Sequence, residues 1–205
     1  MPERNPIKLA VVIATVAIIA IGAGCAAPTA QVIRTLFDPA AENLRLTNVL
    51  VISVAGDYAE RAQVEQKLAV ALTTSRATVS PYYAVIGRSP RITRDLLDTS
   101  IRSRQFDGVL IIREQGQDIP DAAPGRPTGG DFQLFLYDYD EFNQPTRLAA
   151  NSTITLVSEF YTTWNQKKIW SINTLTFDFD TVAEAIELQA TTIESQVQRD
   201  RIIAN

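Results

Sequence analysis

Val49-Leu50-Val51-Ile52-Ser53-Val54 is an aliphatic, β-branched run closed by Gly56 and followed by Asp57. With no polar alternation, it reads as a strand covered on both faces, the habit of parallel sheets. Asp57 is placed to cap a following helix, in which Val64, Leu68, Ala71 and Leu72 form one apolar stripe. Val79 to Ile86 reads as a second strand, with Pro81 acceptable near a sheet edge. Ser89-Pro90 opens a second helix with Ile92, Leu96, Leu97 and Ile101 on one side, and Gly108 to Ile112 is a third fully apolar strand. Strands alternating with helices of this length predict right-handed βαβ crossovers and a parallel core.

Further along, the pattern changes. Gln115 to Gly130 carries three prolines and four glycines and reads as a loop. Phe132 to Tyr139 reads as a strand. Thr153 to Tyr161 alternates, with Ile154, Leu156 and Phe160 on one face. A turn at Asn165-Gln166-Lys167 leads into Ile169 to Phe177, predicting a long antiparallel hairpin. Thr181 to Glu184 fits a capping box, and Val182, Ile186, Ala190, Ile193 and Val197 recur at helical spacing. The expected fold is α/β with an α+β-like second half: a mixed sheet of three parallel βαβ strands, then an antiparallel hairpin and a C-terminal helix.

The N-terminal segment has a different logic. Arg4 and Lys8 precede an uncharged apolar stretch, Leu9 to Ile21, and Gly22-Ala23-Gly24-Cys25 follows at once. Charge, apolar stretch and small residues in that order are the layout of a secretory signal. Cys25, the only cysteine, stands where the lipobox of bacterial lipoproteins places its acylated residue, and the segment resembles that motif. Gly22 departs from it, because a larger aliphatic residue is usual there. A non-acylated signal peptide or an uncleaved membrane anchor are the other readings. On the lipoprotein reading residues 1–24 are the signal peptide, 25–47 are the acylated cysteine and a tether, which either runs free or docks back on the domain through the apolar Val32, Ile33, Leu36 and Phe37, and 48–205 are a single periplasmic domain. Ala26 and Ala27 carry no inner-membrane retention aspartate, so the expected location is the outer membrane, periplasmic face.

Composition limits the chemistry. Residues 25–205 hold 17 basic and 22 acidic side chains, a balance unsuited to nucleic acid. There is no histidine, which removes the commonest general base and metal ligand. No glycine-rich phosphate loop follows the first strand, Ser89 lacks a nucleophile elbow, and Asp138, Asp140 and Glu141 lack a calcium-loop frame. No cofactor and no metal are expected. Two groups are candidate partner surfaces. Arg88, Arg91 and Arg94 make the second helix locally basic, suiting an anionic partner or simply a solvated face. Phe132, Phe135, Tyr137, Tyr139 and Phe142 form an aromatic cluster that Trp164 at the hairpin tip could join, as a contact surface or as core.

Val49 to Ile52, then Arg61 and Glu65, then Phe106-Asp107-Gly108-Val109-Leu110, together with Lys168-Ile169-Trp170-Ser171, resemble an uncharacterised family of bacterial lipoproteins. The arrangement is more distantly similar to the periplasmic domain of the curli secretion channel lipoprotein and to the N-terminal domain of the Tol β-propeller protein. The resemblance implies a binding or assembly part of the envelope, held by its lipid anchor and partnered by an envelope protein or glycan, with no catalytic residues. The alternatives are a hydrolase of envelope carbohydrate using carboxylates such as Asp138 or Glu159, and a subunit of a curli-channel-like pore built from the hairpin.

Overall fold

The computed structural model describes residues 29–54, 57–86, 94–114, 148 and 153–205. Its elements are β1 (Thr29–Phe37), β2 (Asn48–Ser53), α1 (Tyr58–Leu72), β3 (Thr78–Pro81), α2 (Tyr82–Ile86), α3 (Arg94–Arg104), β4 (Gly108–Glu114), β5 (Ile154–Thr162), β6 (Lys168–Phe177) and α4 (Val182–Asp200). The described strands form one six-stranded sheet in the order β1-β6-β5-β4-β2-β3. β2 pairs parallel with β3 and with β4, while β4, β5, β6 and β1 pair antiparallel in succession. The mixed α/β sheet with a C-terminal helix is therefore as the sequence predicts.

Alternation along the strands divides the interior in two. Val49, Val51, Leu110, Phe160, Trp170 and Ile172 face α1 and α4 on one side. Leu50, Ile52, Val109, Ile111 and Tyr161 face α3 on the other, where Leu97 and Ile101 pack. β2 from Val49 to Ile52 and β4 from Gly108 to Ile112 are covered on both sides, which accounts for the unbroken apolar runs there.

Three expectations need correction. The tether does not run through residue 47. Thr29–Phe37 is an edge strand of the sheet, in register from Thr29 opposite Phe177 to Phe37 opposite Trp170. Further on, Leu46 is fully buried; its N–H donates to Ile202 O (2.9 Å) and its carbonyl accepts from Ala204 N (2.9 Å). Secondly, the strand expected over 79–86 ends at Pro81, and Tyr82–Ile86 is helical. β3 is the opposite edge of the sheet, where a proline costs no ladder bond. Thirdly, the β5–β6 hairpin lies between β1 and β4 with Leu156, Phe160, Trp170 and Ile172 in the core. Its apolar stripe is used inside the domain, so this hairpin does not present that stripe to lipid.

The capping expectations take clear form. Asp57 accepts from Ala59 N and Glu60 N, and Glu60 Oε2 accepts from Asp57 N at 2.7 Å. Thr181 accepts from Glu184 N, whereas Glu184 reaches back one residue further, to Asp180 N (2.9 Å). The stripes of α1 and α4 also hold, except that Ala69 rather than Ala71 is buried in α1, beside the unexpected Arg61 and Glu65; in α3 Leu97 and Ile101 are buried, while Ile92 and the expected Ser89-Pro90 cap lie outside the described residues. Phe106-Asp107-Gly108 is a structural clasp. Asp107 accepts from Thr47 N (2.7 Å), Thr47 Oγ1 (2.7 Å) and Asn48 N (3.0 Å). Gly108 leaves room for Leu46, whose Cδ1 would lie 2.5 Å from an added Cβ.

Candidate functional site

Two carboxylates lie inside the fold, and each is already engaged. Glu65, on α1, sits behind the C-terminal end of β2 and is 2% exposed. Its Oε1 accepts from Ser53 N and its Oε2 from Tyr83 N, both at 2.9 Å. Burial pushes its pKa up to about 7, while those main-chain donors and the Arg61 charge pull the other way. In open α/β sheets ligands gather beyond the carboxyl ends of parallel strands, but this carboxylate faces inward and ties β2 to α2.

Glu159 projects from the opposite face of the sheet, next along β5 to Tyr161. Lys168 Nζ lies 3.1 Å from its Oε1, Arg113 Nε lies 3.5 Å from its Oε2, and Tyr161 Oη donates to Oε2 at 2.9 Å. Two cations and a phenol occupy its two oxygens. The geometry does not bring Glu159 and Glu65 together, since the sheet separates them. Among the described residues no cluster of three or more His, Cys, Asp or Glu side chains could hold a metal ion.

The candidates chosen from sequence fare unevenly. Cys25, Arg88, Arg91, Phe132, Phe135, Tyr137, Tyr139 and Phe142 lie outside the described residues, as do Asp138, Asp140 and Glu141. Arg94 begins α3. Farther along that helix Arg102 Nη2 meets Asp98 at 2.5 Å and Arg104 Nη2 reaches Val85 O at 3.4 Å. Trp164 is in the β5–β6 turn and 59% exposed, as expected of a hairpin tip.

Sequence reading missed a cavity of about 490 Å³ where α1 and α4 end. Arg45, Arg76 and Arg201 border it, over an apolar floor that includes Leu72, Val197 and Ile203. Arg45 Nη1 donates to Glu42 O (2.8 Å) and Leu44 O (2.6 Å), which anchors its guanidinium. Arg201 closes α4 in the left-handed conformation at φ 53°, and its main-chain N–H caps Gln198 O and Val197 O. Thr74 Oγ1 donates to Ala204 O at 2.6 Å, joining the α1–β3 turn to the C-terminal segment. The lining contains no Asp or Glu side chain. The arginines are far apart in sequence, so no local motif signals them.

The cavity has a defined place along the sheet. Thr29 opposite Phe177 and Ile154 opposite Thr176 mark one end. Phe37 opposite Trp170 and Gly108 opposite Thr162 mark the other. At that second end Thr73 Oγ1 accepts from Val79 N (3.2 Å), and Trp170 Nε1 donates to Asp200 Oδ2 (2.7 Å), so both helices finish there. The chain therefore enters the sheet at the end opposite the arginines.

No protein-family model and no curated protein sequence matches the chain. Among solved structures it is similar to the PelC dodecamer from Paraburkholderia phytofirmans, with a TM-score of 0.44, 12% identity, and 86% of this chain and 100% of that chain covered. A variant of the same PelC with one leucine replaced by methionine gives a TM-score of 0.40 at 12% identity, covering 82% of this chain and 96% of that one. A likeness at this level carries no functional inference.

Proposed function

We propose that this chain is a lipid-anchored, non-catalytic binding component of the bacterial envelope, held at Cys25 and facing the periplasm from the outer membrane. The observation that carries the reading is the position of β1. The sheet begins at Thr29, and both cores are filled by residues from Val32 onward. Acylation and cleavage at Cys25 would thus leave every described core residue in place. Only Ala26-Ala27-Pro28 would separate the lipid from the domain, a reach of about 14 Å from Cys25 to Thr29. The domain then stands close to the bilayer instead of on a long stalk.

Binding rather than hydrolysis is favoured by the disposition of charge. A glycoside hydrolase needs two carboxyls facing one another across a cleft. Here Glu65 and Glu159 are occupied on opposite faces, and the described cavity is lined by arginines. Among the described residues no helix is long and apolar enough to cross a membrane; on this reading the acyl chains hold the protein. A diacylglycerol with a further N-acyl chain supplies the multiple apolar chains that stable anchoring requires.

Cys25→Ser tests the reading in cells. The expected variant accumulates as precursor and takes up no labelled fatty acid, while the unaltered chain co-sediments with outer-membrane markers on a sucrose gradient. A normally processed variant released from the membrane, or co-sedimentation with inner-membrane markers, contradicts it.

A further inference from the structure

We propose that the Arg45–Arg76–Arg201 cavity is a binding site for an anionic saccharide, one whose sugar carries a carboxylate or a phosphate. This deepens the binding-module reading and rests on it only in the choice of a saccharide over a lipid head group. The charge argument is local. The whole chain has a net charge of −4, yet three guanidiniums border one cavity whose lining includes no Asp or Glu side chain. Two helix C-termini also end here, and each contributes roughly half a negative charge. Three full positive charges outweigh them, together with the main-chain carboxylate that a chain ending at Asn205 adds to the lining.

The arginines differ in their commitments. Arg45 is held by two main-chain carbonyls, which fixes one donor-rich plane at the rim. Among the described residues, the guanidiniums of Arg76 and Arg201 meet no carboxylate or carbonyl, and both side chains are exposed. Forked guanidinium donors match the paired oxygens of a carboxylate or phosphate, and charge-assisted bonds of that kind are the stronger ones. Below the rim, Leu72, Val197 and Ile203 offer an apolar floor, with the amide of Gln198 beside it, whose nitrogen donates to Glu194 Oε1 at 2.9 Å and whose oxygen is left to accept. A sugar ring has the same division, with C–H faces for the floor and hydroxyls for the amide. The volume of about 490 Å³ falls in the range of small-molecule sites, roughly 300–1,000 Å³.

Position decides against the lipids of the anchoring bilayer. The chain enters at Thr29, while the cavity lies at the far end of α4, whose 19 residues span about 28 Å. That is several times the Debye length of about 8 Å at physiological salt. An anion meeting this cavity comes from the compartment, not from the head groups beneath the domain.

The test is a calorimetric titration of the full chain in non-ionic detergent, without a tag at Asn205 because that residue lines the cavity. The probes are a hexuronate disaccharide, a hexose monophosphate, a neutral disaccharide, inorganic phosphate, and vesicles containing phosphatidylglycerol. We expect binding of the uronate or the sugar phosphate, at least about tenfold weaker binding of the neutral sugar and of free phosphate, and about tenfold loss in either Arg76→Gln or Arg201→Asn. Asn is chosen at 201 because it tolerates the left-handed backbone there, and an unchanged melting temperature establishes that each variant folds. Equal binding of neutral and charged sugars, no saccharide binding, or binding unaltered in both variants overturns the proposal. Vesicle binding lost in the same variants overturns the saccharide assignment in favour of lipid. Cys25→Ser protein should bind the saccharide unchanged, so failure of the anchor and failure of the site are separate results.

Discussion

At position 65 a carboxylate lies inside the fold with a main-chain N–H on each oxygen. Its pKa is raised from the ordinary 4.5 to about 7 because desolvation outweighs those bonds. The folded state therefore holds this proton more tightly than the unfolded chain. Its contribution to stability is complete below about pH 4.5 and is lost as the pH rises through 7, by at most ~3 kcal/mol. Glu65→Gln cannot ionise, so its stability should fall less steeply between pH 5 and 7, measured by urea unfolding at each pH. Its amide nitrogen faces a main-chain donor, so its stability at pH 5 should also be lower. A variant with the same slope as the unaltered chain would refute the titration. Asp107 carries a different load, accepting from the backbone at Thr47 and Asn48. Asp107→Ala leaves those donors without their acceptor and should cost about 2–3 kcal/mol in chemical denaturation. A change below ~0.5 kcal/mol would show that the clasp is not structural. Neither role was legible in the sequence. Arg61 and Glu65 are hydrophilic residues on the apolar side of α1, and only the ends of β2 and β3 explain what Glu65 meets there.

At the scale of elements, legibility followed how continuously each pattern ran. Val49–Ile52 and Gly108–Ile112 are apolar throughout because helices cover both faces, and both were readable as buried strands. α4 was readable because Val182, Ile186, Ala190, Ile193 and Val197 keep one helical stripe. β1 was not, for a definable reason. Its register slips between Val32 and Arg34, and such a bulge breaks the two-residue alternation that marks a strand. Ile33 (53% exposed) and Leu36 (45%) also remain at the surface, so no clean apolar face is presented. The α2 turn failed differently: Tyr82-Tyr83-Ala84-Val85-Ile86 is rich in strand-favouring residues, and only packing makes it helical. The assignment of β1 is open to hydrogen exchange. Strand pairing predicts protection of amides within 29–37 that are bonded to β6, well above that of an unfolded segment. Exchange at random-coil rates across all of 29–37 would restore the tether.

For the whole molecule, the consequence of β1 is an orientation. The end that the proposed anchor would hold to the membrane carries Thr29, Phe177 and the start of α4, and the opposite end carries Trp164 in its turn and the arginine cavity. That separation could not be read from sequence, because Arg45, Arg76 and Arg201 come together only when α1, α4 and the segment after β1 are packed. The proposed compartment rests on one short motif, and the anchor is the claim on which the orientation depends. Its most direct measurement is the intact mass and N-terminal peptide of the chain extracted from its own membranes. The account predicts a mature protein beginning at Cys25, heavier than its sequence by a thioether-linked diacylglycerol and one N-acyl chain. A chain that retains Met1, or one that begins without lipid at any residue, would contradict it.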